Sequence, residues 1–119
     1  MSAPDAEALV ISWINDHPDL PEAFGEVPRD RPDQFVSVER TGGPRDLHRD
    51  VPTLAVQAWA KSAGEASALA NLISAAAQHG QSALKYHPRV ARLDIPNMYR
   101  FPGEGSEPRY QLVMELVVA

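Results

Sequence analysis

From Thr53 to Gln78 the chain reads TLAVQAWAKSAGEASALANLISAAAQ, and the spacing of its apolar residues changes partway along. Leu54, Val56, Ala58 and Ala60 alternate with Thr53, Gln57 and Trp59, the period of two that belongs to a strand with unlike faces. Ser62 and Glu65 then form a capping box, in which the hydroxyl serves an orphan backbone N–H and the carboxylate reaches back. Behind them Ala66, Leu69, Ala70, Ile73, Ala76 and Ala77 recur at helical spacing, which predicts a helix over Ala63–Gln78 with one apolar stripe and a stop at Gly80. The unit reads as strand, short turn and helix, with the helix laid back on a sheet. Its alanines let it lie close to whatever it covers.

The other segments read as neighbours of this unit. Pro4, Asp5 and Glu7 suit a helix start, Ala6, Leu9, Val10, Trp13 and Ile14 mark its buried stripe, and it should end near Asn15, because His17 precedes Pro18. His17 to Gln34 holds four prolines and no usable period, and predicts an irregular connection across the surface. Phe35 to Arg40 predicts a short strand closed by Thr41-Gly42-Gly43-Pro44, then a polar loop into the strand at Thr53. Arg89 to Ile95 predicts a third strand, with a bulge or an edge at Pro96 before Tyr99 to Phe101. Pro102 to Pro108 predicts a turn. Arg109 to Val118 is the clearest strand, with Tyr110, Leu112, Met114, Leu116 and Val118 on one face. The expected fold is α+β in the order α-β-β-α-β-β: one mainly antiparallel four-stranded sheet with two helices packed on one face.

At 119 residues the chain is expected to be a single domain, with no linker or internal repeat, burying roughly two thirds of its unfolded surface. It has no cysteine, which removes disulfides, thiolate metal sites and cysteine nucleophiles together. Its polar start carries no signal-peptide pattern and no apolar run approaches membrane length, so a soluble protein made in the cytoplasm is expected. The net charge of −5 argues against a broad nucleic-acid footprint. Nine of the eleven basic residues are arginine, which suits bidentate ion pairs between chains and equally suits a GC-rich gene.

Patterns that carry chemistry are scarce. His17, His48, His79 and His87 stand in no metal-binding spacing. His48-Arg49-Asp50 could be written as a general-base cluster, but reads better as a solvated arginine-rich loop. Gly103, Gly105 and Ser106 lack the lysine and the helix of a phosphate loop. Asp30, Asp33, Asp46 and Asp50 match no calcium loop and lie near arginines, so ion pairing is their expected fate. Arg29, Arg31, Arg40, Arg45 and Arg49 form the only basic concentration; it could be a solvated loop surface, a pairing site between subunits, or a point where a phosphate backbone passes. Trp59 falls on the face opposite Leu54 and Val56. Either it packs within the chain, or it is a subunit contact of the kind tryptophan favours.

Three stretches together resemble a known family. VPRDRPDQFVSVERTGGPRD (Val27 to Asp46), DVPTLAVQAWAKSAGEASALA (Asp50 to Ala70) and YRFPGEGSEPRYQLVMELVV (Tyr99 to Val118) are similar, in that order, to the tail terminator proteins of long-tailed, siphovirus-type bacteriophages, especially those of actinobacterial hosts. The resemblance covers nearly everything after the first helix and contains no catalytic motif. It implies a virion protein, assembled in the host cytoplasm, that forms a ring, a hexamer in this family, on the head-proximal end of the tail tube. Such a ring stops tube polymerisation and presents the surface that joins the filled head. Its partners would be further copies of the chain, the tail tube protein and a head-completion or connector protein, with DNA only in transit and no membrane. No reaction and no cofactor are implied.

A ring needs a heterologous contact, one patch against a different patch. On this reading Arg40, Arg45, Asp46, Arg49, Asp50, Trp59 and Arg109 are the candidate subunit or tail contacts, with Arg40, Arg45 and Arg49 expected to pair with Glu39, Asp46 or Asp50 of the neighbour. Arg45→Glu should then weaken the ring. The alternatives are another head–tail connector or adaptor, and a small ligand-binding or enzymatic domain. The second would need a matched nucleophile, base and stabiliser, which the sequence does not offer.

Overall fold

A computed structural model describes residues 5–46, 48–101 and 108–119. Helix α1 (Ala6–Asp16) begins where Asp5 Oδ1 accepts from the backbone N–H of Glu7 at 2.9 Å and of Ala8 at 3.4 Å. It buries Ala6, Val10 and Ile14, with Leu9 and Trp13 packed at the margin, and ends at the extended His17 before Pro18. Helix α2 (Ala63–Gln78) has the expected bounds, and the hydroxyl half of its cap forms, with Glu65 N donating to Ser62 Oγ at 3.1 Å. Ala66, Leu69, Ala70, Ile73 and Ala77 are buried along its stripe, while Ala76 is only partly so.

The sheet differs from the expectation. It has five strands rather than four, and one parallel pair joins the three antiparallel ones: β1 (Ala23–Phe24), β2 (Phe35–Gly42), β3 (Thr53–Trp59), β4 (Val90–Arg100) and β5 (Arg109–Val118), in the spatial order β1-β2-β3-β5-β4. The added strand lies inside the connection expected to be irregular and runs parallel to β2. Two residues carry no period, and tertiary contacts make this strand. Asn15 of α1 places its carboxamide against Ala23, accepting from Ala23 N at 2.8 Å and donating to Ala23 O at 3.4 Å, while Val36 N donates to Glu22 O at 3.0 Å. The carboxamide thus takes the place of a further strand and closes this edge of the sheet. Glu7 extends the closure, its carboxylate accepting from Arg40 N at 2.7 Å.

At the other edge β4 shifts register between Val90 and Arg92 and again between Asp94 and Asn97, so Pro96 sits in a bulge on an edge strand. A 3-10 turn at Leu84–Tyr86 leads into it. The turn expected at Pro102 to Pro108 lies, up to residue 107, outside the described residues.

Residues paired across antiparallel strands share a face, so the register sorts the sheet. Val36, Val38, Leu54, Val56, Ala58, Leu112 and Met114 face one way and join the buried stripes of both helices in a single core. Phe35, Ser37, Gln57, Trp59, Arg109 and Gln111 face the other way. Among the described residues no helix is long and apolar enough to cross a membrane.

Candidate functional site

The seven candidate residues separate into two groups at opposite ends of β3, about 20 Å apart at the usual rise of a strand. At the Thr53 end lie Arg40, Arg45, Asp46, Arg49 and Asp50; at the other end lie Trp59 and Arg109. Each group is brought together, and the two are not.

The first group is built by the loop between β2 and β3. Gly43 starts it at φ +99°, and a Cβ there would stand 2.0 Å from Val51 O, so the turn admits only glycine. Val51 N donates to Pro44 O at 2.9 Å, and the Asp46 carboxylate accepts from the N–H groups of His48 and Arg49, each at 2.9 Å. Asp50 then pairs with the end of β5 through both backbone groups: Asp50 N donates to Val118 O and Val118 N to Asp50 O, both at 2.8 Å. Its side chain is buried.

Arg40 closes this assembly. Its Nη1 lies 2.6 Å from Asp50 Oδ2 and its Nη2 2.8 Å from Asp50 Oδ1, while Nε and Nη2 also donate to the carbonyls of Gly42 and Gly43 at 3.1 and 2.9 Å. One guanidinium therefore holds both ends of the loop. The hydrogen bonds from Arg40 hold the Asp50 carboxyl below the usual carboxylate range, against the opposing effect of burial, and Asp50 in turn raises Arg40. Asp46 is also lowered, chiefly by the N–H groups of His48 and Arg49.

The pairs expected between subunits are thus formed within one chain. Arg40 holds Asp50, Arg49 lies 3.8 Å from Asp46, and Arg45 lies 3.9 Å from Asp50. The reason is local: the tight turn at Gly43 folds Asp50 back beside Arg40, a geometry that residue spacing does not disclose. Arg45 and Arg49 nonetheless keep 47% and 62% of their side chains exposed, so both remain on the outer surface of the loop.

The second group stands on the helix-free face. Trp59, expected either to pack or to make a contact, is buried within the chain: it stacks on Phe35 with centroids 5.3 Å apart and planes 11° from parallel. The Arg109 guanidinium lies between two rings, 4.5 Å from the centroid of Trp59 and 4.2 Å from that of Phe101. Arg31 reaches the same indole from the connection before β2, at 5.5 Å. Burial and the neighbouring charge of Arg31 lower the pKa of Arg109. Beside this row runs a ladder of polar side chains across four strands. Trp59 Nε1 donates to Ser37 Oγ at 3.0 Å, and Ser37 Oγ to Gln57 Oε1 at 3.4 Å. Gln57 Nε2 donates to Gln111 Oε1 at 2.8 Å, and Gln111 Nε2 to Tyr99 Oη at 2.9 Å.

Phe35, Phe101, Ser37, Gln57, Gln111 and Tyr99 stand outside the sequence candidates. The one available signal was the alternation that sets Gln57 and Gln111 on the faces opposite Val56 and Leu112.

Among the described residues no group of three or more His, Asp or Glu is placed to hold a metal ion. Two open hollows, of about 140 and 220 Å³, flank the ends of the connection, the first beside Trp13 and Ser82, the second between Gln34 and Leu72. The first is also lined by Asp16, His17 and Pro18, with His17 Nδ1 accepting from Asp19 N at 3.3 Å. Neither a family model nor a curated protein matches the sequence.

Proposed function

We propose that this chain is a structural subunit of a phage tail, a terminator that sits as a six-membered ring on the head-proximal end of the tail tube and ends its polymerisation. The three stretches similar to tail terminators support this reading, and one observation carries it. The loop between β2 and β3 exposes all of its described residues from Thr41 to Arg49, yet Arg40 ties both of its ends and Asp50 anchors it to β5. An exposed loop held this firmly is preorganised, and preorganisation lowers the entropy lost on assembly. On this reading Arg45 and Arg49, 47% and 62% exposed, meet a neighbouring subunit or the tube.

The partners are then other copies, the tail tube protein and a head-completion or connector protein. DNA passes through the ring without a dedicated site, no cofactor takes part, and no membrane is involved. The test is tube growth. Substoichiometric protein added to polymerising tail tube protein should arrest elongation and shorten the tubes, whereas binding to empty heads without an effect on tubes would favour the connector reading.

A further inference from the structure

The helix-free face of the sheet is polarised from end to end. At one end stands the Phe35, Trp59, Arg109 and Phe101 row, with Arg109 half-buried between two rings. Among the described residues no carboxylate lies within ion-pair distance of Arg109. A partly desolvated guanidinium favours an acceptor. The adjacent ladder points the same way: each donor in it faces the next acceptor, and the chain of bonds ends on Tyr99 Oη, whose own proton has no acceptor among the described residues. Phe101 N donates to Arg109 O, so Tyr99, two residues before Phe101 on β4, sits on the same face close to Arg109. The face therefore holds, side by side, two partly exposed donors with no acceptor among the described residues.

The opposite end carries Glu39, Glu115 and Asp94, the last of them paired with Arg92 at 2.8 Å. Glu39 pairs across the sheet with Ala55, which pairs with Val113, and Thr53 pairs with Glu115, which pairs with Asp94. Glu39 and Glu115 are exposed, and neither makes an ion pair among the described residues. From the row of Arg109 to that of Glu115 is about 20 Å along the strands.

We infer that this face is a contact between two copies of the chain, in which Arg109 and Tyr99 of each copy take a carboxylate from Glu39 or Glu115 of the other. A twofold axis lying between the faces and crossing the strands reverses one sheet over the other, so the Arg109 end of each copy covers the Glu115 end of the other. Aligned sheets pack face to face at about 10 Å, a spacing that side chains of this length fill. An axis along the strands would set Arg109 over Arg109 and leave the acids facing each other. Val113, half-buried, supplies an apolar residue in the middle of the patch. Such a contact is isologous and does not close a six-membered ring, so it describes the chain away from the tail and stands independently of the terminator reading.

The test is the solution mass of the whole chain by light scattering coupled to size exclusion, from low to high micromolar. The wild type should run as a dimer. Arg109→Gln and Tyr99→Phe should each raise the dimer dissociation constant, roughly tenfold or more for the first. Arg109→Glu should be monomeric, and adding Glu39→Arg and Glu115→Arg to it should restore the pair, which a fold defect would not allow. A wild type that stays monomeric throughout, or any oligomer indifferent to Arg109→Gln and Tyr99→Phe, overturns the inference. The tube-growth assay judges the terminator reading separately: a monomeric Arg109→Glu protein that still arrests tubes removes the pair from ring assembly and leaves the ring intact.

Discussion

Arg40 and Asp50 form a bidentate ion pair, Nη1 to Oδ2 at 2.6 Å and Nη2 to Oδ1 at 2.8 Å, with the carboxylate side chain only 1% exposed. Replacing Asp50 by Ala leaves Arg40 without its partner and frees the loop. The expected cost is about 2–4 kcal/mol, toward the lower part of the range for a buried pair because Arg40 keeps 28% exposure. Urea denaturation at neutral pH measures it.

The same pair sets an acid limit. Asp50 has its folded pKa below the unfolded value, so its contribution is fully present above the ordinary carboxylate range and is lost as pH falls through the folded value. Stability should be insensitive to this group from pH 5 to 7 and should decline below about pH 4. Asp46 acts with the same sign. Denaturation midpoints measured from pH 7 to pH 3 should fall less steeply for Asp50→Asn than for the wild type.

Arg40→Lys keeps the charge and loses the fork that reaches Asp50, Gly42 and Gly43 together. A loss of about 1–2 kcal/mol is expected, with faster amide exchange at Asp50 and Val118, whose mutual hydrogen bonds depend on the clamp.

Trp59→Phe keeps most of the stack on Phe35 and removes the donor to Ser37, so it should cost about 1–2 kcal/mol. Trp59→Ala opens the row beneath Arg109 and should cost about 3–5 kcal/mol. Equal losses in the two variants would mean that the ring stack contributes nothing.

Asn15→Ala should expose both backbone groups of Ala23 at the closed edge of the sheet, at a cost of about 1–3 kcal/mol. Hydrogen exchange at Ala23 reads this directly, with protection lost there and retained at Val56 in the sheet centre.

How much of this was legible follows from what each element depends on. α2 and β5 carry long uninterrupted periods, and their bounds could be written from the sequence alone. Pro96 marked a bulged edge strand because a missing N–H is tolerated only in such places. β1 was invisible, since its two residues are a strand only because Asn15 and the backbone of β2 make them one. Arg40, Arg45 and Arg49 each find a carboxylate within their own chain, which residue spacing alone does not disclose. That Asp50 would return to Arg40 depends on the positive φ of Gly43, which the Gly42-Gly43 pair allowed without specifying. Trp59 was correctly set on the face away from Val56, but the residues that cover it come from β2, β5 and the connection, and bringing them together requires a register that no single strand encodes.

The measurement that tests the central claim most directly is electron microscopy of isolated tail tubes mixed with the purified protein. The account predicts added density at one end of each tube only, with sixfold symmetry in end-on averages, on tubes that no longer elongate. Protein bound along the tube walls, at both ends alike, or not at all would contradict it.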